Sequence, residues 1–186
     1  MLRKVGASSK VVSTPRELYS ARKIILPGVG AFDSGMKALN EHGFSDVLIE
    51  HATAGSAHIL GVCLGMQMLG LGSEEGKMEG LGLIRGSCRK FPVSSNSRLK
   101  VPNMGWNEVS PSSNAALFDQ DDELSRFYFV HSYYFECTCS ENVAATTEYG
   151  ITYAAAIQSD NVFGVQFHPE KSHRFGLRLL SRFWRL

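Results

Sequence analysis

The sequence predicts an α/β fold: a mostly parallel, doubly wound sheet flanked by helices, with an antiparallel β extension from the middle of the chain. Two patterns predict it. In the first third, short apolar runs alternate with helical stretches, as βα units do. In the second half, residues 127–135 (FYFVHSYYF), 143–147, 153–157 and 162–167 are rich in the aromatic and β-branched types that favour strands. Length and composition bound the answer. The chain has 186 residues, 44% of them apolar and 20% charged, which suits one domain over residues 1–186 with a proper core.

Each element has its own signal. Lys10 to Ser13 could form a short strand. Lys23 to Leu26 (KIIL) is a better one, stopped abruptly by Pro27-Gly28-Val29-Gly30. Asp33 to Ala54 reads as helix, with Met36, Leu39, Phe44, Val47 and Leu48 as its apolar stripe. His58 to Val62 is a buried strand, followed at once by a helix over Leu64 to Leu71. Residues 81–110 hold short β-like pieces broken by Gly, Pro and Ser, with Phe91 to Arg98 as a loop. Ser112 to Glu123 is a solvated acidic loop. Phe175 to Trp184 closes the chain as an amphipathic helix with Arg174, Arg178 and Arg182 on its wet side.

Charge and cysteine usage exclude several classes. Nineteen Lys and Arg against eighteen Asp and Glu give a net charge of +1, without the basic stripe of a nucleic-acid domain. No apolar run approaches the ~20 residues of a membrane span, and the N-terminal MLRKVGASSK lacks a secretory apolar core. The four cysteines, at 63, 88, 137 and 139, show no paired CxxC spacing. A disulfide framework or structural zinc is not expected, and a cytoplasmic location is.

Three short motifs carry chemistry. Gly61-Val62-Cys63-Leu64-Gly65 joins a strand to a helix in the manner of a nucleophile elbow, with sulfur in place of the serine oxygen. The helix start behind Cys63 is expected to lower its thiol pKa. Taken alone, the pentapeptide leaves a buried structural cysteine equally open. In Gly164-Val165-Gln166-Phe167-His168-Pro169-Glu170 the proline holds His168 extended. Alternation then lets Glu170 reach one ring nitrogen and leaves the other for a nucleophile. Pro27-Gly28-Val29-Gly30 can turn backbone N–H groups towards a neighbouring oxyanion, and the N–H of Leu64 offers a second donor. By itself PGVG is an ordinary turn.

Together these motifs resemble the triad, or class I, glutamine amidotransferases. Within that family the sequence is most similar to the glutaminase branch of imidazole glycerol phosphate synthases. The resemblance rests on PGVGAFDSGMKAL (27–39), GVCLGMQML (61–69), SEEG (73–76), VPNMGWNEV (101–109), YFVHSYY (128–134) and GVQFHPEKS (164–172), in the family's order. It implies a catalytic triad of Cys63, His168 and Glu170, and oxyanion donors at Val29 and Leu64. Gly30, Gln67 and Glu75 match positions that hold the glutamine substrate, as does the segment His131-Ser132-Tyr133. Gln67 also follows Cys63 by four residues, on the same helix face. Met104, Trp106 and Lys171 match positions that face a partner, a (β/α)₈-barrel cyclase. No metal or organic cofactor is implied.

The activity implied is hydrolysis of L-glutamine through a cysteinyl thioester. The ammonia would pass to the cyclase, which makes imidazole glycerol phosphate and aminoimidazole carboxamide ribotide for histidine biosynthesis. Two alternatives stay open at this stage: a paralogue feeding ammonia to a sugar-modifying enzyme of surface polysaccharides, and a non-catalytic scaffold. The family opens with a strand and a D-Y-G-x-G-N loop. This sequence is expected to be N-terminally short, beginning inside the following helix with apolar surface and backbone groups exposed.

Overall fold

The computed structural model describes residues 1–92, 99–118 and 125–186. Its strands are β1 (Lys23–Gly28), β2 (His58–Cys63), β3 (Gly86–Lys90), β4 (Asn103–Pro111), β5 (Ser125–His131), β6 (Tyr133–Cys137), β7 (Val143–Glu148), β8 (Thr152–Ser159) and β9 (Val162–Val165). The helices are α1 (Phe32–Glu41), α2 (Phe44–Ala54), α3 (Leu64–Met68) and α4 (His173–Arg185). The main path through the sheet is β1-β2-β9-β8-β7-β4-β5, and β6 pairs with both β8 and β3. β1, β2 and β9 form the parallel core. The remaining pairings are antiparallel, so the extension supplies most of the sheet. This is an α/β fold with a parallel core and helices on its faces.

β2 lies between two parallel neighbours and is apolar on both faces, as a central parallel strand must be. Leu60 and Val62 enter one core cluster with Phe127, Phe129, Phe167 and Leu180. Ile59 enters the other, with Phe32, Met36, Met66 and Leu69. Helix α4 buries Leu179, Leu180 and Phe183 and leaves Arg174 and Arg178 exposed, as its pattern predicts.

Several boundaries differ from the sequence reading. Lys10 to Ser13 is not a strand: Val11 is 95% exposed, and the Ser13 N–H donates to Glu17 Oε2 instead of to a sheet. The stretch expected as one helix from Asp33 is two, because Gly43, at φ 71°, turns the chain between α1 and α2. Helix α3 stops at Met68 rather than Leu71, since the Leu71 N–H leaves to bond the Gly86 carbonyl at the start of β3. The aromatic run 127–135 divides at Ser132 into β5 and β6. Of the expected loops, residues 93–98 and 119–123 lie outside the described residues.

Helix α3 approaches β1 closely enough to exclude a side chain. A Cβ placed on Gly65 would lie 1.8 Å from the Leu26 carbonyl oxygen, a backbone atom that no side-chain rotation can move. Gly65→Ala is therefore expected to cost roughly 3 kcal/mol, the upper part of the range for overpacking. For a chain of this size that is about 6–12 °C in melting temperature. An unchanged thermal transition would contradict the packing described.

Candidate active site

Cys63 closes β2 with φ 55° and ψ −111°, a positive-φ conformation that a non-glycine residue adopts only under constraint from its surroundings. Its neighbours in register are Gly28 of β1 and, one residue earlier, Val165 of β9 opposite Val62. The turn leaves the residue 8% exposed. Its thiol donates towards the Val130 carbonyl at 3.9 Å and receives the Gln166 side-chain amide, Nε2 to Sγ, at 3.8 Å. Burial pushes the thiol up to about 11, with Glu170 adding to the rise. The Leu64 N–H and the Gln166 amide pull the other way without overcoming it. The lowered thiol expected from the sequence is thus corrected: desolvation outweighs the start of a helix only five residues long.

His168 is buried and extended, φ −101° and ψ 97°, as a residue before proline should be. Its N–H donates to the Tyr128 carbonyl at 2.9 Å. Its carbonyl accepts the Ser172 hydroxyl at 2.6 Å, and the same hydroxyl accepts the Tyr128 N–H at 3.0 Å. In the ring, Nδ1–H donates to Glu170 Oε1 at 2.7 Å. That bond leaves the lone pair on Nε2, which is buried and has no hydrogen-bond partner among the described residues. The contact with Glu170 is the expected one, but its cause is not strand alternation: Glu170 sits in a 3₁₀ turn over Pro169–Lys171. Val29 and Gly28 line a cavity of about 370 Å³ together with Val62, His168 and Glu170. Gly30 follows with φ 100°, and Val29 itself is 82% exposed.

Gln67, on α3, spends both amide hydrogens inside the protein. Nε2 donates to the Tyr133 carbonyl and to Gln166 Oε1, each at 3.0 Å, so its Oε1 is the atom left for other contacts. His131 donates from Nδ1 to the same Tyr133 carbonyl at 2.8 Å and accepts the Tyr153 hydroxyl on Nε2 at 3.0 Å. Asn103 Nδ2 donates to that hydroxyl at 3.0 Å. Burial pushes the His131 imidazole down to about 4, its bond to Tyr133 opposing and the neighbouring His168 assisting. Ser132 and Tyr133 are half-buried at the β5–β6 junction. Glu75 accepts the Phe32 N–H at 2.9 Å at the start of α1. Asp33 reciprocates by accepting the Lys77 and Met78 N–H groups at 3.0 Å, which hold its carboxyl below the usual range.

Hydrogen bonds thus join Cys63, Gln166 and Gln67 in one group and His168 and Glu170 in another, and both groups rest on β5, through the Val130 and Tyr128 carbonyls. Met104, Trp106 and Lys171 lie on an exposed face, Lys171 close enough to the site for its charge to act on the Cys63 thiol. Met104 is 62% exposed, Trp106 stacks on His173 with ring planes 4° apart, and Lys171 Nζ lies 5.6 Å from the Tyr128 ring centre. The sequence reading missed Gln166, Ser172, Asp33, Asn103 and Tyr153. Gln166 carried a signal: it stands two residues before His168 at a strand end, and alternation places the two on one side. All four cysteines are free thiols, Cys88 in β3 and Cys137 in β6 among them. No group of three metal-ligating side chains occurs among the described residues, and no described helix is long and apolar enough to cross a membrane.

Residues 1–185 match the family described as glutamine amidotransferase class-I. The chain is 46% identical over 183 residues to imidazole glycerol phosphate synthase subunit HisH 2 of Methanococcus maripaludis. It is 47% identical over 183 residues to the protein of the same name from Pseudomonas aeruginosa. Each alignment spans 98% of this chain and 90% of the relative. Among solved structures, a crystal structure of a glutamine amidotransferase superposes with a TM-score of 0.71 at 19% identity, covering 96% of this chain and 89% of that one. A glutamine amidotransferase from Thermotoga maritima gives 0.63 at 20%, covering 99% and 74%. At those identities the two structures show the fold.

The His131 network has a consequence for acid stability. The unfolded imidazole protonates near 6.5 and the folded one near 4. Its contribution is therefore complete above pH 6.5 and is lost as pH falls towards 4, about 3 kcal/mol in all. Denaturant melts between pH 4 and 7 should show that slope, and His131→Gln should flatten it whatever its effect on stability at pH 7.

Proposed function

The chain belongs to the class I glutamine amidotransferases, and from that premise we propose that it is the glutaminase subunit of an imidazole glycerol phosphate synthase. It hydrolyses L-glutamine to glutamate and ammonia. The observation that carries the reading is the buried His168 Nε2, which has no hydrogen-bond partner among the described residues while Glu170 fixes the other nitrogen. A buried imidazole nitrogen without a partner is costly unless a reaction uses it.

The catalytic sequence follows from the groups present. His168 Nε2 takes the thiol proton as Cys63 Sγ attacks the side-chain amide carbon. The N–H groups of Leu64 and Val29 receive the oxyanion. His168 then gives its proton to the departing ammonia and activates the water that cleaves the thioester, with Glu170 holding the tautomer throughout. Gly30, Ser132 and Tyr133 contribute backbone to the substrate pocket. The acceptors left on Gln67 and Glu75 suit the substrate's α-ammonium group. Ammonia passes to a (β/α)₈-barrel cyclase seated on Met104, Trp106 and Lys171, and is used there to form imidazole glycerol phosphate and aminoimidazole carboxamide ribotide. The need for a free Cys63 thiol fits a reducing, cytoplasmic setting.

In isolation the protein is expected to be a poor glutaminase. The Val29 peptide, between Gly28 and Gly30, can turn its N–H away from the oxyanion and leave Leu64 as the only donor, a loss of roughly 10²–10³ in kcat, and docking of the cyclase gates its return. Glutamine turnover is to be compared for the protein alone, with the cyclase, and with cyclase plus its substrate analogue. Strong activation in the last two is expected; full activity alone would refute the gating. Activation by a sugar-modifying enzyme instead would transfer the function to polysaccharide synthesis, and no turnover in any mixture would favour a scaffold.

Substitutions test the roles. Cys63→Ala should abolish glutamine hydrolysis and leave ammonia-dependent synthesis by the complex intact. His168→Asn should be nearly as damaging, because such groups act as a unit. Glu170→Gln should cost less, since it orients the base without touching substrate. A Glu170 variant slower than the His168 variant would reverse the assignment.

A further inference from the structure

The polar groups behind the Cys63 sulfur form a network whose direction is set at the Tyr133 carbonyl. Its far end is Asn103, whose Nδ2 donates to Tyr153, whose hydroxyl donates in turn to His131 Nε2. His131 Nδ1 and Gln67 Nε2 both donate to the Tyr133 carbonyl, which can only accept. Gln67 must therefore present its NH₂ to Tyr133. The same NH₂ then meets Gln166 at the latter's oxygen, at 3.0 Å. With Oε1 so occupied, the Gln166 NH₂ has to face the sulfur. The amide's orientation follows from the network and not from the local contact alone.

Gln166 is held tightly for this task. The residue is fully buried, and its backbone N–H donates to the Ala155 carbonyl at 2.9 Å. Its Nε2 stands 3.8 Å from Sγ, within reach of a hydrogen bond to sulfur. A buried glutamine in an apolar core is expensive, and this one is spent entirely on Gln67 and Cys63.

We infer that the Gln166 side-chain amide is a catalytic hydrogen-bond donor to the Cys63 thiolate, and that Gln67 is the positioning residue that keeps the donor turned towards sulfur. The inference rests on the reading of Cys63 as nucleophile. When His168 Nε2 removes the thiol proton, the S–H bond breaks, an N–H bond forms, and sulfur keeps the electron pair. The Val130 carbonyl, which accepts the thiol hydrogen beforehand, has nothing to offer the anion. The Gln166 amide and the Leu64 N–H do. In this low-dielectric setting a donor aimed at developing charge counts for more than in water.

The test reads thiol chemistry rather than glutamine turnover. Carboxamidomethylation of Cys63 by iodoacetamide is followed against pH by peptide mass spectrometry, with Cys88, Cys137 and Cys139 as internal references. Gln166→Glu keeps the length and the oxygen that accepts from Gln67, and replaces the NH₂ facing sulfur with an oxygen that also carries negative charge, so it should act more strongly than the neutral variant. Gln166→Met keeps the length and offers no donor. Both should slow Cys63 alkylation roughly tenfold or more at a given pH, and move its pH profile upward. In the complex, kcat should fall with KM little changed. A wild-type pH profile in either folded variant would overturn the inference. Should both variants fail to fold, the wild-type protein decides: the Gln166 side-chain amide resonances must shift when Cys63 alone is methylthiolated, and resonances that stay put would overturn it. The nucleophile reading fails by a different result, glutamine turnover surviving in Cys63→Ala, which leaves the thiol titration of the wild-type protein untouched.

Discussion

The arrangement at the carboxyl end of β2 depends on how closely α3 approaches β1. Gly65 rests on the Leu26 carbonyl with no room for a Cβ, and that contact holds the strand-to-helix turn in place. Cys63 is the residue left to absorb the turn, at φ 55°. A non-glycine residue in such a conformation costs on the order of 1–3 kcal/mol, sustained only where packing over-determines it. The packing here does so from both sides, with Gly28 opposite Cys63 and β9 beside Val62. The outcome is a sulfur at the sheet edge that still lies under cover.

Cover and reactivity then pull in opposite directions. Burial stabilises the neutral thiol, and Glu170, bonded to His168 Nδ1, adds unfavourable charge nearby. The Leu64 N–H opposes this effect from within the elbow, and Lys171 and Gln166 oppose it from outside. Gln166 continues from β9, and its orientation is set through Gln67 by the Tyr133 carbonyl at the β5–β6 junction. The antiparallel extension is thus the rear wall of the site. It supplies the carbonyl of Tyr133, on which two side chains converge, and a neutral His131 whose tautomer that carbonyl fixes.

What could be read in the sequence was what local geometry demands. A strand meeting a helix across GVCLG has few ways to turn, and a histidine before proline has few conformations, so Cys63 and His168 were legible without a structure. Glu170 was reached for the wrong reason, alternation, where a 3₁₀ turn does the work. The protonation state of Cys63 was not legible, because it depends on residues such as Val130 and Gln166, which are distant in sequence. The division of the 127–135 run was hidden for a similar reason: aromatic residues on both sides of Ser132 favour strands, and the break is set by pairing with β4 on one side and β3 on the other.

The same pairing links the exposed face to the buried centre. On β4, Met104 stands opposite Val130 and Trp106 opposite Tyr128. The Val130 carbonyl is the one that faces the Cys63 thiol. The Tyr128 carbonyl accepts the His168 N–H, and the Tyr128 N–H reaches the Ser172 hydroxyl that holds the His168 carbonyl. Cys63 and His168 therefore both contact the β5 backbone, at residues two apart, directly across from the side chains proposed to meet a partner. Packing in a sheet is dense, so a partner seated on this face, as proposed above, would bear on the strand that contacts both residues without entering the pocket.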